Sequence, residues 1–502
     1  KRLNKTEIFD EYITRAQYYK NCFNPSSGFM QSKVNGSWQY GFIPSEVNFN
    51  FTEANSWQYS MFVPQDLKGL IELHGSKGAF ESKLDQLFET SSDLTGREQS
   101  DITGLIGQYA HGNEPSHHMA YLYNYLGKPT KTQEKVNQIM NGQYSNSPDG
   151  LSGNEDCGQM SSWYVLSALG FYSVTPGLPY YTIGTPLFDE AILNLENGNQ
   201  FKIIAKRKNK DDFYISTATL NGKQLNKSFI NHKDIMAGGE LIFELSSTPN
   251  LEWGKENTPV SSIPELYSIV PVPYFTALKQ SFVDSLKVEL SVSNRAAEIY
   301  FKSSLDSNYK LYKGPFYIKE SAKFIAYSQF GKKLSKMVNA SYYKTQGGRV
   351  LDLKSSYSNQ YNAGGDNALI NGLKGPDNFM TGYWQGYHDQ DFEAVVDLGK
   401  VKFFSFISIG ALQDIKSWIW YPKHVNFSIS LDGLEFENIA VFVNDFPANK
   451  YGSFIKDFEF HLPEKTAFRF LKVEAKNYGK CPKWHLGNGG KTWLFFDEII
   501  VN

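Results

Sequence analysis

Apolar residues recur at helical spacing through residues 1–185 of the chain. In five segments they stand three and four positions apart, as on one face of an amphipathic helix: 8–19, 69–88, 119–126, 132–140 and 160–169. Gly127 and Gly170 directly follow two of these segments, and glycine commonly ends a helix. Helices joined by polar loops fit an α/α toroid, and they equally permit a helix bundle.

The pattern changes to short β-strands from about residue 186. Runs rich in β-branched and aromatic residues alternate with turn signals, among them Asn-Gly at 197–198 and 221–222. Residues 253–264, interrupted by Pro and Gly, are typical of a linker. Further strand-like runs follow, including 288–292, 298–301, 394–400, 425–433 and 468–474. The chain is therefore predicted to be a multidomain α + β protein.

Length and composition narrow the class of protein. A chain of 502 residues is too long for one ordinary domain. The formal net charge of -2 argues against nucleic acid or an anionic membrane surface as a partner. Cys22, Cys157 and Cys481 are far apart and odd in number, so they predict neither a disulfide framework nor a zinc ribbon. An aromatic content of 15% suits stacking on sugar rings, and it equally suits large β-sandwiches.

The sequence predicts neither a membrane span nor a leader segment. No apolar run approaches the roughly 18 residues that a transmembrane helix needs. Lys1-Arg2-Leu3-Asn4 contains no Met and no hydrophobic signal core, which indicates an internal cut and not a natural start.

Three short segments concentrate side chains that can bind a metal or move a proton. They are FTEANSWQY at 51–59, HGNEPSHH at 111–118 and SGNEDCGQM at 152–160. All three are flanked by helical patterns, as loops at the mouth of a helical scaffold would be. Together they resemble the signature of glycoside hydrolase family 92, calcium-dependent exo-α-mannosidases.

The resemblance implies an inverting exo-α-mannosidase that removes terminal mannose from glycans, with α-1,2 linkages preferred. It implies Ca²⁺ as cofactor and a periplasmic, cell-surface or secreted location. Residues 1–185 would be the C-terminal part of an (α/α)6 toroid, and 186–258 would complete the catalytic module. Because family members begin with a β-sandwich and more of the toroid, the chain is interpreted as the C-terminal portion of a larger enzyme.

Glycoside hydrolysis needs one carboxylic acid and a second carboxylate. The family pattern puts the general acid at Glu53 and the base at Asp156. Burial among aromatic neighbours would raise the pKa of Glu53 and keep it protonated. Inversion implies that the two carboxyl groups lie about 6.5–9.5 Å apart. The alternatives are a surface or helix-capping Glu53 and a helix-capping Asp156.

Family members often carry Asp where this chain has Asn154. The amide could orient the attacking water but could not share its proton. From the sequence alone, Asn154→Asp is expected to be neutral or mildly favourable. The resemblance also implies that Trp57, His111, Glu114 and Glu155 bind substrate.

The segment at 111–118 could in principle bind zinc through His111, Glu114, His117 and His118. It lacks the His-Glu-x-x-His spacing, and Pro115 interrupts any helix that would align these residues. Calcium prefers oxygen ligands, which Asn113 and Glu114 supply. These two residues are the predicted metal ligands, whereas His117 and His118 are expected to be packed or hydrogen-bonded.

The last two regions resemble known accessory domains. Residues 259–349 are similar to the small chitobiase-type β-sandwich through the run LYKGPF at 311–316. Residues 350–502 resemble a discoidin (coagulation factor 5/8 type C) jelly roll. There, Asn371 and Gly372 fall where such folds place a calcium loop. Trp384, Trp418, Trp420 and Tyr421 are candidates for a ligand face.

Two other functions remain open. One is a toroid glycosidase of different sugar specificity, which would not depend on calcium. The other is a non-enzymatic glycan-binding fragment, whose sugar binding would be indifferent to changes at Glu53 and Asp156.

Overall fold

The computed structural model describes residues 5–277, 279–345 and 347–502. The chain forms two compact units. The first comprises Lys1–Gln31 and Ile43–Ile269, and the second comprises Ser32–Phe42 and Val270–Asn502. The prediction made for Lys1-Arg2-Leu3-Asn4 concerns residues outside the described range. No helix in the described part of the chain is long and apolar enough to cross a membrane.

The first unit contains helices in all five segments that the sequence predicted. Asn55, Asp66 and Ser76 cap three helices by accepting hydrogen bonds from backbone N–H groups of the first turn. The segment 69–88 is divided in two at Gly75, whose φ of 88° interrupts the helical backbone. The helices are α1 Thr6–Arg15, α2 Ser56–Met61, α3 Leu67–Leu73, α4 Lys77–Glu89, α5 Leu122–Tyr125, α6 Pro129–Gly142, α7 Gln159–Ala168 and α8 His232–Met236, with 3-10 turns at Tyr18–Asn21, Glu114–Ser116, Met119–Tyr121 and Glu265–Tyr267.

Short strand pairs interrupt the region that was expected to be helical. A run of two residues is too short to show any hydrophobic period, which is why the pattern missed these pairs. They are Phe23–Asn24 with Phe29–Met30, Lys33–Val34 with Ser37–Trp38, Glu46–Val47 with Thr95–Gly96, and Leu105–Ile106 with Tyr109–Ala110. The first 185 residues are therefore mixed in secondary structure.

The helices bury one continuous apolar core. Met61, Leu70, Phe80, Leu84 and Trp163 lie in it with at most 1% of their surface exposed. The side chains come from α2, α3, α4 and α7, so the loops that join these helices are held on a packed scaffold.

Two sheets complete the first unit. A three-stranded sheet pairs Tyr180–Ile183 with Phe229–Asn231 and Phe171–Tyr172. A five-stranded sheet has the order Glu190–Asn194, Gln200–Lys206, Gly239–Ser246, Tyr214–Leu220, Lys223–Gln224. Its alternate residues Phe201, Ile203 and Phe243 are buried, as a half-exposed sheet requires. The segment 253–264 belongs to this unit, and Trp253 Nε1 donates to the carbonyl of Leu225 at 2.9 Å.

The second unit is built from β-sheets. The first sheet has the order Phe316–Ile318, Leu286–Ser291, Tyr274–Thr276, Ser37–Trp38, Lys33–Val34, and the second has the order Ser281–Phe282, Val338–Lys344, Ala322–Phe330, Glu298–Ser303, Lys310–Leu311, with Lys333–Leu334 beside Ala322–Phe330. Phe275, Val288 and Tyr342 belong to the core of this region. Residues 32–42 thus contribute a hairpin that the sequence had assigned to the helical region.

The C-terminal region is all-β, as its strand pattern predicted, and its strands form one large sheet. The order is Gln385–His388, Trp493–Val501, Phe392–Asp414, Ser453–Ala475, His424–Ser430, Glu437–Val443, with Val350–Leu353 paired to Phe392–Asp414. Single 3-10 turns occur at Asn359–Tyr361, Ala368–Ile370, Phe379–Thr381 and Ile415–Ser417. The pairing of Phe392–Asp414 with Ser453–Ala475 is irregular between Asp397 and Lys402 and between Phe404 and Phe406, as at a β-bulge.

Candidate active site

The three polar segments meet in the first unit. Asn113 Nδ2 donates to Glu53 Oε2 at 3.2 Å, which joins the first segment to the second. The carboxyl of Asp156 lies close enough to Glu114 to raise the pKa of the Glu114 carboxyl, which brings the third segment beside the second. Glu53, Asn113, Glu114 and Asp156 therefore form one group of side chains, called here the acidic cluster.

Two glycines allow the second and third segments to approach each other. A Cβ atom added to Gly153 would lie 2.4 Å from the Cα atom of Gly112 and 2.7 Å from its carbonyl oxygen. The strands Leu105–Ile106 and Tyr109–Ala110 hold the second segment in a hairpin, and Gly112 N–H extends it by donating to Thr103 O at 3.0 Å. Only residues without a side chain permit this close backbone contact.

Glu53 lies just before α2, in a tightly held turn. The carbonyl oxygen of the Asn55 side chain accepts from Trp57 N–H at 3.0 Å, and Ala54 N–H donates to Gln99 Oε1 at 2.7 Å. Ala54 has a φ of 53°, in the left-handed region that non-glycine residues rarely adopt. Such a conformation costs of order 1–3 kcal/mol, so it persists only where other contacts offset that cost. Here the two hydrogen bonds of the turn can do so.

The aromatic neighbours expected around Glu53 are present in part. The rings of Phe51 and Tyr59 lie 5.5 Å apart, and burial together with the charge of Glu53 raises the pKa of Tyr59. Trp57 packs edge-on against Phe29, with the Lys83 ammonium 4.8 Å from the Trp57 ring centroid. The substrate-binding role of Trp57 stays a prediction.

Asp156 also lies on a strained turn. Asp156, Cys157 and Gly158 have φ values of 43°, 58° and 87°, so three consecutive residues are left-handed just before α7 begins. Glu155 anchors this turn by accepting from Ser161 N–H at 3.1 Å and from the Ser161 hydroxyl at 2.9 Å. Strained backbone concentrates at functional sites, where the surrounding structure holds it in place. The substrate-binding role of Glu155 stays a prediction beside this anchoring contact.

Two oxygen atoms of the acidic cluster are buried without a hydrogen-bond partner, Asn113 Oδ1 and Glu114 Oε1. Burial and then the neighbouring carboxyls of Asp156 and Glu53 raise the pKa of Glu114. Buried polar atoms normally find a partner, so each of these two oxygens can accept a water or an ion. Calcium accepts amide and carboxylate oxygens, and the donor set fits it. Among the described residues no group of three or more His, Cys, Asp or Glu side chains is arranged to hold a metal ion.

The histidines of the second segment are engaged within the protein. Tyr144 donates to the carbonyl of Met160 at 3.0 Å, so its oxygen accepts from His111 Nε2 at 2.7 Å. His111 Nδ1 then accepts from the Tyr109 hydroxyl at 2.7 Å. Both ring nitrogens of His111 are therefore used. This argues against zinc, while its predicted role in substrate binding is not tested by these contacts.

His117 and His118 are packed and hydrogen-bonded, as the sequence predicted. His117 Nε2 donates to the carbonyl of His111 at 2.9 Å, and His118 Nε2 donates to the carbonyl of Met61 at 3.0 Å. Burial lowers the pKa of each of the two imidazoles to about 4 and that of His111 to about 2. These three side chains are consequently neutral parts of the core at neutral pH.

Acid is expected to destabilise the first unit through these histidines. Their folded pKa values lie below the unfolded value of about 6.5, so the unfolded chain binds more protons between pH 6.5 and 4. Each histidine contributes stability that is complete above pH 6.5 and falls by roughly 2 kcal/mol by pH 5. Thermal or urea unfolding at pH 7 and pH 5 measures the loss. His118→Gln, whose amide can still donate to Met61, should reduce the pH dependence, and an unchanged dependence would contradict the assignment.

Sequence reasoning missed the residues that hold the segments in place. Gln99, Asp101 and Thr103 lie in a loop without helical or strand period, and each contacts one of the segments. Gln159, three residues after the candidate base Asp156, donates from Nε2 to His117 Nδ1 at 3.1 Å. No local pattern distinguishes such residues, because their partners are remote in sequence.

The residues predicted for a second calcium loop and for an aromatic ligand face belong to the second unit. Gly372 N–H donates to Glu498 Oε2 at 2.9 Å, and burial raises the pKa of Glu498 to about 8. Of the predicted aromatic ligand face, Trp384, Trp420 and Tyr421 are buried in the core, and only Trp418 is exposed, at 38%. A calcium loop at Asn371 and Gly372 stays a prediction.

Glycoside hydrolases use a pair of Asp or Glu carboxyl groups, and the acidic cluster contains such a pair in Glu53 and Asp156. Residues 1–247 match the Glycosyl hydrolase family 92 catalytic domain, and the predicted resemblance to this family is confirmed over that range. Residues 1–247 are therefore similar in sequence to family 92 glycoside hydrolases.

Individual proteins are similar to parts of the chain. An uncharacterized secreted glycosidase of Arthroderma benhamiae is 27% identical over 272 residues, 49% of this chain and 33% of that protein. A family GH92 alpha-mannosidase from Bacteroides thetaiotaomicron is 35% identical, covering 52% of this chain and 34% of that chain with a TM-score of 0.47. A CBM32 module produced by Clostridium perfringens is 18% identical, covering 32% of this chain and 95% of the module with a TM-score of 0.20. The chain spans about a third of the length of the first two relatives.

Proposed function

We propose that this chain is part of an inverting, calcium-dependent exo-α-mannosidase that removes terminal mannose from glycans, with α-1,2 linkages preferred. The observation that carries the proposal is the acidic cluster, in which Glu53, Asn113, Glu114 and Asp156 come together from three loops. The match of residues 1–247 to family 92 supports glycoside hydrolysis as the reaction.

The proposed architecture follows the sequence expectation. Residues 1–185 are the C-terminal part of an (α/α)6 toroid, and 186–258 complete the catalytic module. Residues 259–349 form the chitobiase-like sandwich and 350–502 the discoidin-like jelly roll. A periplasmic, cell-surface or secreted location is proposed with it, and the secreted relative supports this.

Glu53 is the general acid of the proposed reaction, and it protonates the oxygen that leaves with the rest of the glycan. Asp156 is the base that takes a proton from the attacking water, with Asn154 orienting that water. Inversion follows because the water attacks the face of the sugar opposite to the leaving group. Glu114, Trp57, His111 and Glu155 complete the predicted substrate-binding set.

Asn113 and Glu114 would hold the calcium ion. Their unpartnered oxygens, Asn113 Oδ1 and Glu114 Oε1, are the atoms that support this assignment. When bound, Ca²⁺ supplies a fixed positive charge that can orient sugar hydroxyls. The protein's part is to keep these oxygens in place, through the hydrogen bond from Asn113 Nδ2 to Glu53.

The proposal is tested by sugar release from α-1,2-, α-1,3- and α-1,6-mannobiose in the complete protein, with and without EDTA. We expect release of mannose, fastest from the α-1,2 disaccharide, loss of activity with EDTA, and recovery with calcium. Proton NMR should show the β anomer first, as inversion requires. Activity that survives EDTA when metal analysis finds no residual calcium would reject the metal. An α anomer formed first would reject inversion.

A second candidate function is glycan binding by the C-terminal unit. The exposed ring of Trp418 favours it, since a flat aromatic surface can stack on a sugar ring. Glycan binding that persists after substitution of Glu53 and Asp156, in a protein without sugar release, would support this alternative.

A further inference from the structure

One loop contacts all three segments of the acidic cluster. In residues 99–103, Gln99 Oε1 accepts from Ala54 N–H at 2.7 Å, and Thr103 O accepts from Gly112 N–H at 3.0 Å. Asp101 Oδ1 accepts from Asn154 Nδ2 at 3.0 Å. The contacted residues stand one or two positions from Glu53, Asn113 and Asp156. This loop is therefore placed to set the distances within the cluster.

The contact between Asp101 and Asn154 also fixes which way the amide points. An ionised carboxylate can only accept hydrogen bonds, so Asn154 must turn its NH₂ group toward Asp101. The amide oxygen Oδ1 is then left as the remaining polar atom of the side chain. A water that gives one proton to Asp156 still carries a second proton, which needs an acceptor. Asn154 Oδ1 can be that acceptor only while the amide keeps this orientation.

We propose that Asp101 is a positioning residue that holds the amide of Asn154 so that its oxygen can orient the attacking water. This inference rests on the proposed mannosidase function. Asp101 acts through Asn154 and does not touch the substrate. Its carboxylate also accepts from the Ser100 hydroxyl at 3.4 Å, which helps to keep it in place.

The pair reverses the expectation for Asn154→Asp. The sequence alone suggested a neutral or favourable change, but the new carboxylate would face Asp101 at hydrogen-bonding distance. Two like charges at that distance repel, and the loop that carries Asp156 would shift. Asp101→Asn keeps a possible partner for Asn154 but no longer dictates its orientation. The exchanged pair, with both substitutions, restores one carboxylate and one amide.

The test is a double-mutant cycle on the complete protein, with kcat and KM measured on α-1,2-mannobiose and Tm measured for each variant. For Asn154→Asp we expect kcat to fall on the order of tenfold, as for loss of one charge-assisted hydrogen bond, with KM little changed. Asp101→Asn should have a smaller effect on kcat. The variant with both substitutions should recover most of the activity, because it restores the pair.

Each outcome decides between the inference and a merely structural contact. An additive cycle, or an Asn154→Asp variant as active as the parent, would overturn the positioning role. Coupling in Tm without coupling in kcat would also overturn it, since the pair would then only hold the loop. A parent protein without mannosidase activity would instead overturn the proposed function, and the inference with it.

Discussion

Asp156→Ala is expected to lower mannoside hydrolysis by about 10²–10⁴-fold, whatever the leaving group, because the attacking water loses its base. Glu53→Gln should behave differently. It should abolish hydrolysis of mannobiose, because the leaving oxygen of that substrate must be protonated. It should spare much of the activity on an activated aryl mannoside, because the aryl leaving group departs without a proton. The measurement is kcat/KM for both variants on both substrates in the complete protein.

Two control variants distinguish the loss of a catalytic carboxyl from a general effect of removing a negative charge. Glu98→Gln and Asp149→Ala remove carboxylates from exposed residues of the same unit and should leave both substrates unaffected. Identical responses of the Glu53 and Asp156 variants to leaving-group ability would show that the acid and base roles are wrongly assigned. Equal losses in the control variants would mean that the effect is one of charge and not of position.

The fold could be predicted where hydrophobic periods are long. The patterns around α1, α6 and α7 located helices. The strand-like pattern from about residue 186 agrees with Gln200–Lys206 and Gly239–Ser246, two strands that are neighbours in one sheet. The sequence could not reveal that these two strands run parallel, since pairing depends on contacts remote in sequence. The hairpin at residues 32–42, which joins the second unit, was missed for the same reason.

The candidate site was predictable as a set of segments and not as a geometry. The motifs indicated that Glu53, Asn113, Glu114 and Asp156 would act together. In the structure Asn113 donates a hydrogen bond to Glu53, and the Asp156 carboxyl raises the pKa of Glu114. What no motif revealed is the means of bringing the loops together. The left-handed backbone at 54 and 156–158 and the partners in the 99–103 loop follow from tertiary contacts, which local sequence does not encode.

Substitution of Gly153 tests whether its contact with Gly112 holds the second and third segments together. Gly153 is not in the left-handed region, so alanine brings no backbone strain there, and the effect of Gly153→Ala must come from the new methyl group alone. That methyl would lie 2.4 Å from the Cα atom of Gly112, a backbone atom that cannot rotate away. The second and third segments would have to separate, and with them Glu114 and Asp156.

We expect Gly153→Ala to destabilise the first unit by about 1–3 kcal/mol, the usual cost of overpacking, and to lower kcat by about 10²-fold, because a shift of about 1 Å in catalytic groups has that effect. Urea unfolding and kcat on α-1,2-mannobiose measure the two losses. Gly142→Ala is the matched control, since a Cβ atom at Gly142 meets no atom within 4 Å. It should leave kcat unchanged and alter stability by less than about 1 kcal/mol. If Gly153→Ala has the same urea unfolding curve and the same kcat as the parent, the two loops do not depend on this contact. The distance between Glu114 and Asp156 must then be set by other residues.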